Sequence, residues 1–302
     1  MSMTRREWLQ AGIAGVGGAA IAGWADFSLI PSAMAAEDAP RPWEIGCFNR
    51  PWGRWSYDEA LDGIKQAGYR LTGLVGGHAG EAFITPEATN EYLDKLSERI
   101  AARGLLAIVA WYHTDHNVPI EESIRRSRRQ IDNAQRIGLR YLMSGAVGDP
   151  AQYDHYYKVM ADAAAYGADR GVQIVVKPHG GCAASSDELQ VCLEKVNHPN
   201  FRIWYDGGNI IHYTGKDPVA EAEKLAKMST GFCAKDCAAP KGDVMIQFGE
   251  GKVDFNGIFA KLRQADFKGP VMVECCAGKS KDEVTAAAKA NREFLERSLK
   301  NG

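Results

Sequence analysis

The chain has 302 residues, 45% of them hydrophobic, with 36 basic and 38 acidic side chains and a net charge of −2. That hydrophobic share is ordinary for a globular domain, and a charge so near neutrality argues against a nucleic acid or an anionic membrane surface as a partner held by bulk charge. The seven cysteines (Cys47, Cys182, Cys192, Cys233, Cys237, Cys275 and Cys276) are odd in number and scattered in spacing, so they do not read as a disulfide framework.

The first segment reads as an address. Thr4-Arg5-Arg6-Glu7-Trp8-Leu9-Gln10 precedes a mild Gly/Ala-rich apolar run from Ala11 to Ala25, and Ala33-Met34-Ala35 has the small-x-small pattern of a signal-peptidase site. The paired arginines with an aromatic and a Leu behind them resemble a twin-arginine export signal. An uncleaved membrane anchor is the alternative; the interrupting glycines and the Ala-x-Ala site favour cleavage. This reading makes residues 1–35 a signal peptide and residues 36–302 the folded domain. It sends the protein through the twin-arginine translocase to the periplasm, with no stable membrane association afterwards. Cleavage removes Arg5, Arg6, Glu7 and Asp26, so the net charge stays at −2.

Beyond it, strand and helix patterns alternate with a period of about 30 residues, as in βαβ units. The expected strands are Trp43–Phe48, Arg70–Val75, Leu105–Tyr112, Tyr141–Ser144, Gln173–Lys177, Phe201–Asp206, Gly231–Lys235 and Pro270–Glu274. Several are continuous apolar runs, the mark of strands covered on both faces. Amphipathic stretches lie between them: Glu87–Arg103, with Tyr92, Leu93, Leu96 and Ile100 at helical spacing, then Ile120–Ile137, Tyr153–Arg170 and Asp282–Leu299. Eight such pairs predict an α/β fold, a single (β/α)8 TIM barrel of roughly 250 residues. A doubly wound sheet competes, but no Gly-x-Gly-x-x-Gly follows the first strand and there is no phosphate loop.

Acidic or basic residues punctuate the ends of the later strands: Lys177-Pro178-His179, Tyr205-Asp206-Gly207-Gly208-Asn209, Cys233-Ala234-Lys235-Asp236 and Val273-Glu274. Catalysis in a closed barrel sits at these ends. Gly249-Glu250-Gly251-Lys252-Val253-Asp254 reads as architectural, with Asp254 able to cap the next helix. The long connection from Cys237 to Phe248 reads as a lid. Lys235-Asp236 is open to a second reading, a structural ion pair with that loop. Aromatic and polar groups end the earlier strands, in Phe48-Asn49-Arg50-Pro51-Trp52, Gly76-Gly77-His78 and Trp111-Tyr112-His113. Together they suit the C–H patches and hydroxyls of a sugar, although Trp52 and Trp111 are equally able to plug the barrel.

The order and spacing of these motifs resemble the xylose isomerase-like TIM barrels, the superfamily of sugar phosphate isomerases and epimerases. The resemblance implies one divalent metal (Mn, Zn or Fe) held by residues from strands five to eight, with Asp206 and Glu274 matching two of the four ligand positions. At the other two positions this chain has Lys177, where the family has Glu, and Cys233, where it has His. A thiolate still ligates soft metals, whereas an ammonium repels a divalent ion by roughly 8 kcal/mol at ~4 Å and an effective dielectric near 20. Two arrangements follow: a metal-free centre in which Lys177 pairs with Asp206 and Glu274, or a metal held by Asp206, Glu274, Cys233 and His179.

The resemblance also implies proton abstraction next to a carbonyl of a sugar or keto-sugar. Glu274 is then the base, Lys177 or a metal the stabiliser of the enediolate, and His179 a proton shuttle, as is His113. Asn49, Trp52, His78, Trp111, His113, Asn209 and Lys235 are the expected substrate contacts. The reaction classes implied are isomerase, epimerase and keto-sugar lyase, and export disfavours a sugar phosphate relative to a free sugar, keto-sugar or glycoside. The alternative is a non-catalytic carbohydrate-binding or partner-binding barrel that has lost the family metal site.

Overall fold

The computed structural model describes residues 41–300; the expected export signal and its boundary at residues 35 and 36 lie outside the described residues. Eight parallel strands close into one barrel in sequence order: β1 (Ile45–Phe48), β2 (Leu71–Leu74), β3 (Leu106–Trp111), β4 (Tyr141–Ser144), β5 (Gln173–Val176), β6 (Phe201–Tyr205), β7 (Ser229–Ala234) and β8 (Val271–Val273). Closure is made by β8 on β1, with Ile45 opposite Val271 and Cys47 opposite Val273. The helices between them are α1 (Tyr57–Gln66), α2 (Asn90–Ala101), α3 (Ile120–Arg136), α4 (Tyr153–Ala168), α5 (Ser186–Val196), α6 (Gly207–Thr214), α7 (Pro218–Leu225), α8 (Phe255–Gln264) and α9 (Lys281–Lys300). None of the described helices is long and apolar enough to cross a membrane.

Alternate residues of each strand feed two apolar cores. In β5, Ile174 and Val176 join the core shared with the helices, while Val175 joins the barrel interior with Phe48, Val109, Met143, Trp204 and Met272. The continuous apolar runs of the sequence are this double burial. Bulky interior side chains need small neighbours: a Cβ at Gly231 would lie 2.2 Å from the Trp204 ring. Local signals fix where helices start. Ser56 and Glu59 form a reciprocal capping box on α1, and Asp254 accepts from Gly257 N–H at 2.9 Å to cap α8, as its sequence position predicts.

Most expected strands overrun the observed ones by a residue or two. The difference matters at the C-terminal ends, where Lys177, Asp206, Lys235 and Glu274 are each the first residue past strand pairing. Each backbone is still directed by its strand, while each side chain is free to turn into the barrel mouth.

Candidate active site

The four strand ends bring their charges to one point. Lys177 Nζ lies 3.1 Å from Asp206 Oδ2 and also contacts Glu274 Oε2. Lys235 Nζ lies 3.0 Å from Glu274 Oε1 and 3.4 Å from Asp206 Oδ2. Arg50, just past β1, places Nη1 3.0 Å from the same Glu274 oxygen. Three cations thus face two carboxylates, an excess of one positive charge. Lys177 and Asp206 have no solvent exposure, and Lys235 and Glu274 retain only 3%.

Local structure holds this cluster rigid. Asp206 is the N-cap of α6, its Oδ1 accepting from Asn209 N–H at 2.9 Å; a carboxylate there also meets the positive end of the helix dipole. A Cβ at Gly208 would lie 2.4 Å from Lys235 Cγ, so only glycine lets the lysine stem cross the start of the helix. Burial works against both ammonium groups, but Glu274 and Asp206 outweigh it and hold Lys177 and Lys235 above their ordinary pKa. Burial also opposes ionisation of Glu274, and Lys177, Lys235 and Arg50 outweigh that too, holding its pKa well below the usual carboxylate range. The opposite charges of Glu274 and the two lysines thus favour one another's ionised forms.

Asp206, Cys233 and Glu274 each offer a ligand atom, all within 4.8 Å of one another. The set does not fit a divalent ion. Two ammonium groups already occupy the carboxylate oxygens, and each would repel such an ion. Burial pushes the Cys233 thiol well above its ordinary pKa, and its Sγ packs 3.4 Å from Met143 Sδ in the barrel interior. His179, expected as a substitute ligand, is not part of this grouping.

A cavity of about 640 Å³ opens above the cluster, with Arg50, Trp111, His179, Asn209, Lys235 and Glu274 on its floor. Lys177, expected at its centre, lies below the floor, so Lys235 and Arg50 present the positive charge to the cavity. Lys177 Nζ lies 5.9 Å from the Trp111 ring centroid, and that ring meets His179 edge-on at 5.7 Å. His179 is open to the cavity on one side and crowded on the other. Desolvation first, and then the Lys177 and Lys235 charges, lower its pKa to about 4. Its Nε2 lies 3.3 Å from the Tyr213 hydroxyl. His113 also lines the cavity, its pKa lowered by desolvation.

Three expected substrate contacts are placed elsewhere. Asn49 is fully buried, and its Oδ1 accepts from Val75 N–H at 2.7 Å, tying the end of β1 to the end of β2. Trp52 is fully buried, and its indole N–H donates to Thr285 Oγ1 at 3.2 Å, locking the loop after β1 to α9. The His78 ring packs edge-on against Tyr57, with Nδ1 2.8 Å from Trp55 O. In each case the strand-end position is right, but the loop turns the side chain into packing. Arg50, between Asn49 and Trp52, reaches the site instead; its signal was a charged residue two places beyond a strand. Tyr213 had no signal, because it enters from the last turn of α6.

The structural ion pair expected as the second reading of Lys235-Asp236 is replaced by backbone hydrogen bonds to Asp236, while Lys235 pairs with Asp206 and Glu274. The Asp236 carboxylate accepts backbone N–H groups from Cys237, Gly249, Gly251 and Val253 at 2.8–3.1 Å, so it fastens both ends of the long loop after β7 while Lys235 points to the floor.

A (β/α)8 barrel with a charged C-terminal mouth defines the class. The chain belongs to the xylose isomerase-like TIM barrel family, whose model matches residues 61–298. An inosose dehydratase from Clostridium beijerinckii is 22% identical over 260 residues, covering 73% of this chain and 86% of that protein. Two solved structures superpose closely. A xylose isomerase-like TIM barrel protein from Mycobacterium smegmatis, in complex with magnesium, has a TM-score of 0.69 at 14% identity, covering 86% of this chain and 97% of that one. A D-allulose 3-epimerase from Methylomonas, in complex with D-allulose, has a TM-score of 0.68 at 18% identity, covering 86% and 98%. At these identities the structural likeness speaks for the fold.

Proposed function

We propose that the barrel is a sugar isomerase- or epimerase-like enzyme that removes a proton beside the carbonyl of a sugar or keto-sugar, using a lysine–arginine centre. The observation that carries this is the excess positive charge on the floor, where Lys235 and Arg50 meet the cavity above two fixed carboxylates. Family membership and the epimerase and dehydratase relatives support a carbonyl substrate.

In this reading the substrate carbonyl oxygen lies against Lys235 and Arg50, whose charge stabilises the enediolate as it forms. Lys177, beneath, keeps Glu274 ionised and, by pairing with both carboxylates, holds Glu274 and Asp206 in place. Glu274, held by three cations, is a poor base at rest. His179 is the better proton acceptor: it is neutral at neutral pH and faces the cavity. A base this weak takes a proton only from a carbon acid that adjacent cations have already acidified, and the floor supplies them. Asn209 and Trp111 orient the sugar.

Incubation with ketohexoses and ketopentoses in D2O tests this by NMR. Deuterium should wash in at the carbon beside the carbonyl, falling by about 10²–10³ in Lys235→Met, the scale of losing one oxyanion donor. Binding without exchange in the wild type would favour a non-catalytic carbohydrate-binding barrel, a reading supported by the engagement of the Glu274 carboxylate with three cations.

Export by the twin-arginine pathway is part of the proposal and rests on Arg5, Arg6 and the Ala33-Met34-Ala35 site. Replacing both arginines by lysine should retain the protein in the cytoplasm; unchanged periplasmic accumulation refutes it.

A further inference from the structure

The floor accounts for only part of the cavity. Its outer wall is built by the segment after β2 and by the far side of the mouth, with Leu74, Ala82, Phe83 and Ile84 on one side and Tyr213 and Val244 on the other. These groups offer mainly apolar area; the polar groups among them are the Tyr213 and Thr85 hydroxyls, the His212 ring and the Glu81 carboxylate, which Tyr92 and Arg99 already engage. The volume of about 640 Å³ is that of pockets taking drug-sized ligands, roughly 300–1,000 Å³, and exceeds what one sugar ring on the charged floor fills.

Two features show that this wall is built. Phe83 is held at φ +47°, the left-handed region that a bulky side chain rarely adopts; such strain persists only where surrounding structure imposes it. Here Tyr92 imposes it, its hydroxyl accepting from Phe83 N–H at 3.0 Å while donating to Glu81 at 2.6 Å. Opposite, Val244 belongs to the loop whose two ends Asp236 fastens.

We infer that the substrate has two parts: a sugar ring on the charged floor, and an apolar, aromatic aglycone held between Phe83 and Ile84 on one side and Tyr213 and Val244 on the other. The site takes an aryl glycoside in preference to a free monosaccharide; because the glycosidic bond locks the anomeric carbon as an acetal, the carbonyl that the floor acts on is a keto group on the ring itself. This rests on the proposed sugar-binding role of the floor. A second cavity, of about 280 Å³, adjoins the first and shares Thr85 and His113 with it, but its lining is polar, with Asp115, His116 and Gln152. It suits a second sugar ring, so a disaccharide is the competing ligand.

Calorimetric titration of the full chain with matched ligands separates these. The probes are D-glucose, D-galactose and D-xylose, the phenyl β-glycoside of each, and cellobiose. For at least one sugar the phenyl glycoside should bind at least about tenfold more tightly than the free sugar, as expected for burial of one aromatic ring. Phe83→Ala should bring that ratio toward one. Val244→Ser, on a separate loop, should reduce it independently, so misfolding of one variant leaves the other to decide. Equal binding of free sugar and phenyl glycoside overturns the inference and leaves the proposed function standing, as does tighter binding of cellobiose than of phenyl glucoside. Failure of every probe to bind also overturns this inference, while the deuterium exchange with keto-sugars decides the floor separately.

Discussion

The two halves of the barrel mouth are made of different material. Strands β1 and β2 end mostly in groups that bind the protein to itself, Asn49 to Val75, Trp52 to Thr285 and His78 to Trp55, while β3 ends in the cavity-lining Trp111 and His113. Strands β5 to β8 end in charges that bind one another around a point: Lys177, Asp206, Lys235 and Glu274. The first half forms the frame and the apolar wall, and the second half forms the polar floor. Arg50 and Trp111 cross from the first half to the floor, and Tyr213 and Val244 cross from the second half to the wall. Polar residues at strand ends therefore do not identify a site by themselves; what distinguishes the second half is that neighbouring ends carry complementary charge.

Paired substitutions make that contrast quantitative. Lys177→Met leaves Asp206 and Glu274 buried with one neighbouring cation fewer, and breaking such a buried pair costs about 3–5 kcal/mol. Asn49→Ala orphans one buried backbone N–H, a loss of about 1–3 kcal/mol. Urea denaturation should rank them in that order, and only Lys177→Met should also weaken substrate binding, because only it disturbs the floor. Equal effects on stability and binding would erase the distinction between the halves.

pH sharpens it further. Glu274 has a folded pKa below the ordinary 4.5, so its contribution to stability is complete above that pH and is lost as pH falls below it. Lys177 and Lys235 have folded values above 10.5, so theirs is complete below that pH and lost as pH rises beyond it. Stability owed to the cluster should be flat between these limits. Activity has a related signature. His179 must be neutral to accept a proton, so the acid limb of kcat/KM should have its midpoint near pH 4 rather than near 6.5. A midpoint near 6.5 would show that a different histidine, or a differently placed His179, carries the proton.

The barrel was legible because double burial writes itself as unbroken apolar runs, and because eight strand–helix pairs leave few other architectures. The floor was legible for a related reason: Lys177, Asp206 and Glu274 each stand at the close of such a run. What stayed hidden depends on loop direction. Asn49 and Arg50 are adjacent, and only the turn through Pro51 and Trp52 decides which reaches the cavity. Lys177 and Lys235 look equivalent in sequence, but one is sealed under the floor and the other forms it. The apolar wall was invisible because Phe83 and Val244 come from connections with no periodic pattern, and Tyr213 from the end of a short helix.

Ammonium groups stand at the carboxylates to which the family resemblance assigns a divalent metal. Calorimetric titration of the wild-type chain and of Lys177→Glu with Mn²⁺ and Zn²⁺ tests this most directly. The account predicts no stoichiometric binding by the wild type and binding of one equivalent by Lys177→Glu, in which a carboxylate replaces the repelling charge. Tight binding of one equivalent by the wild type, at the Asp206 and Glu274 carboxylates, would contradict it.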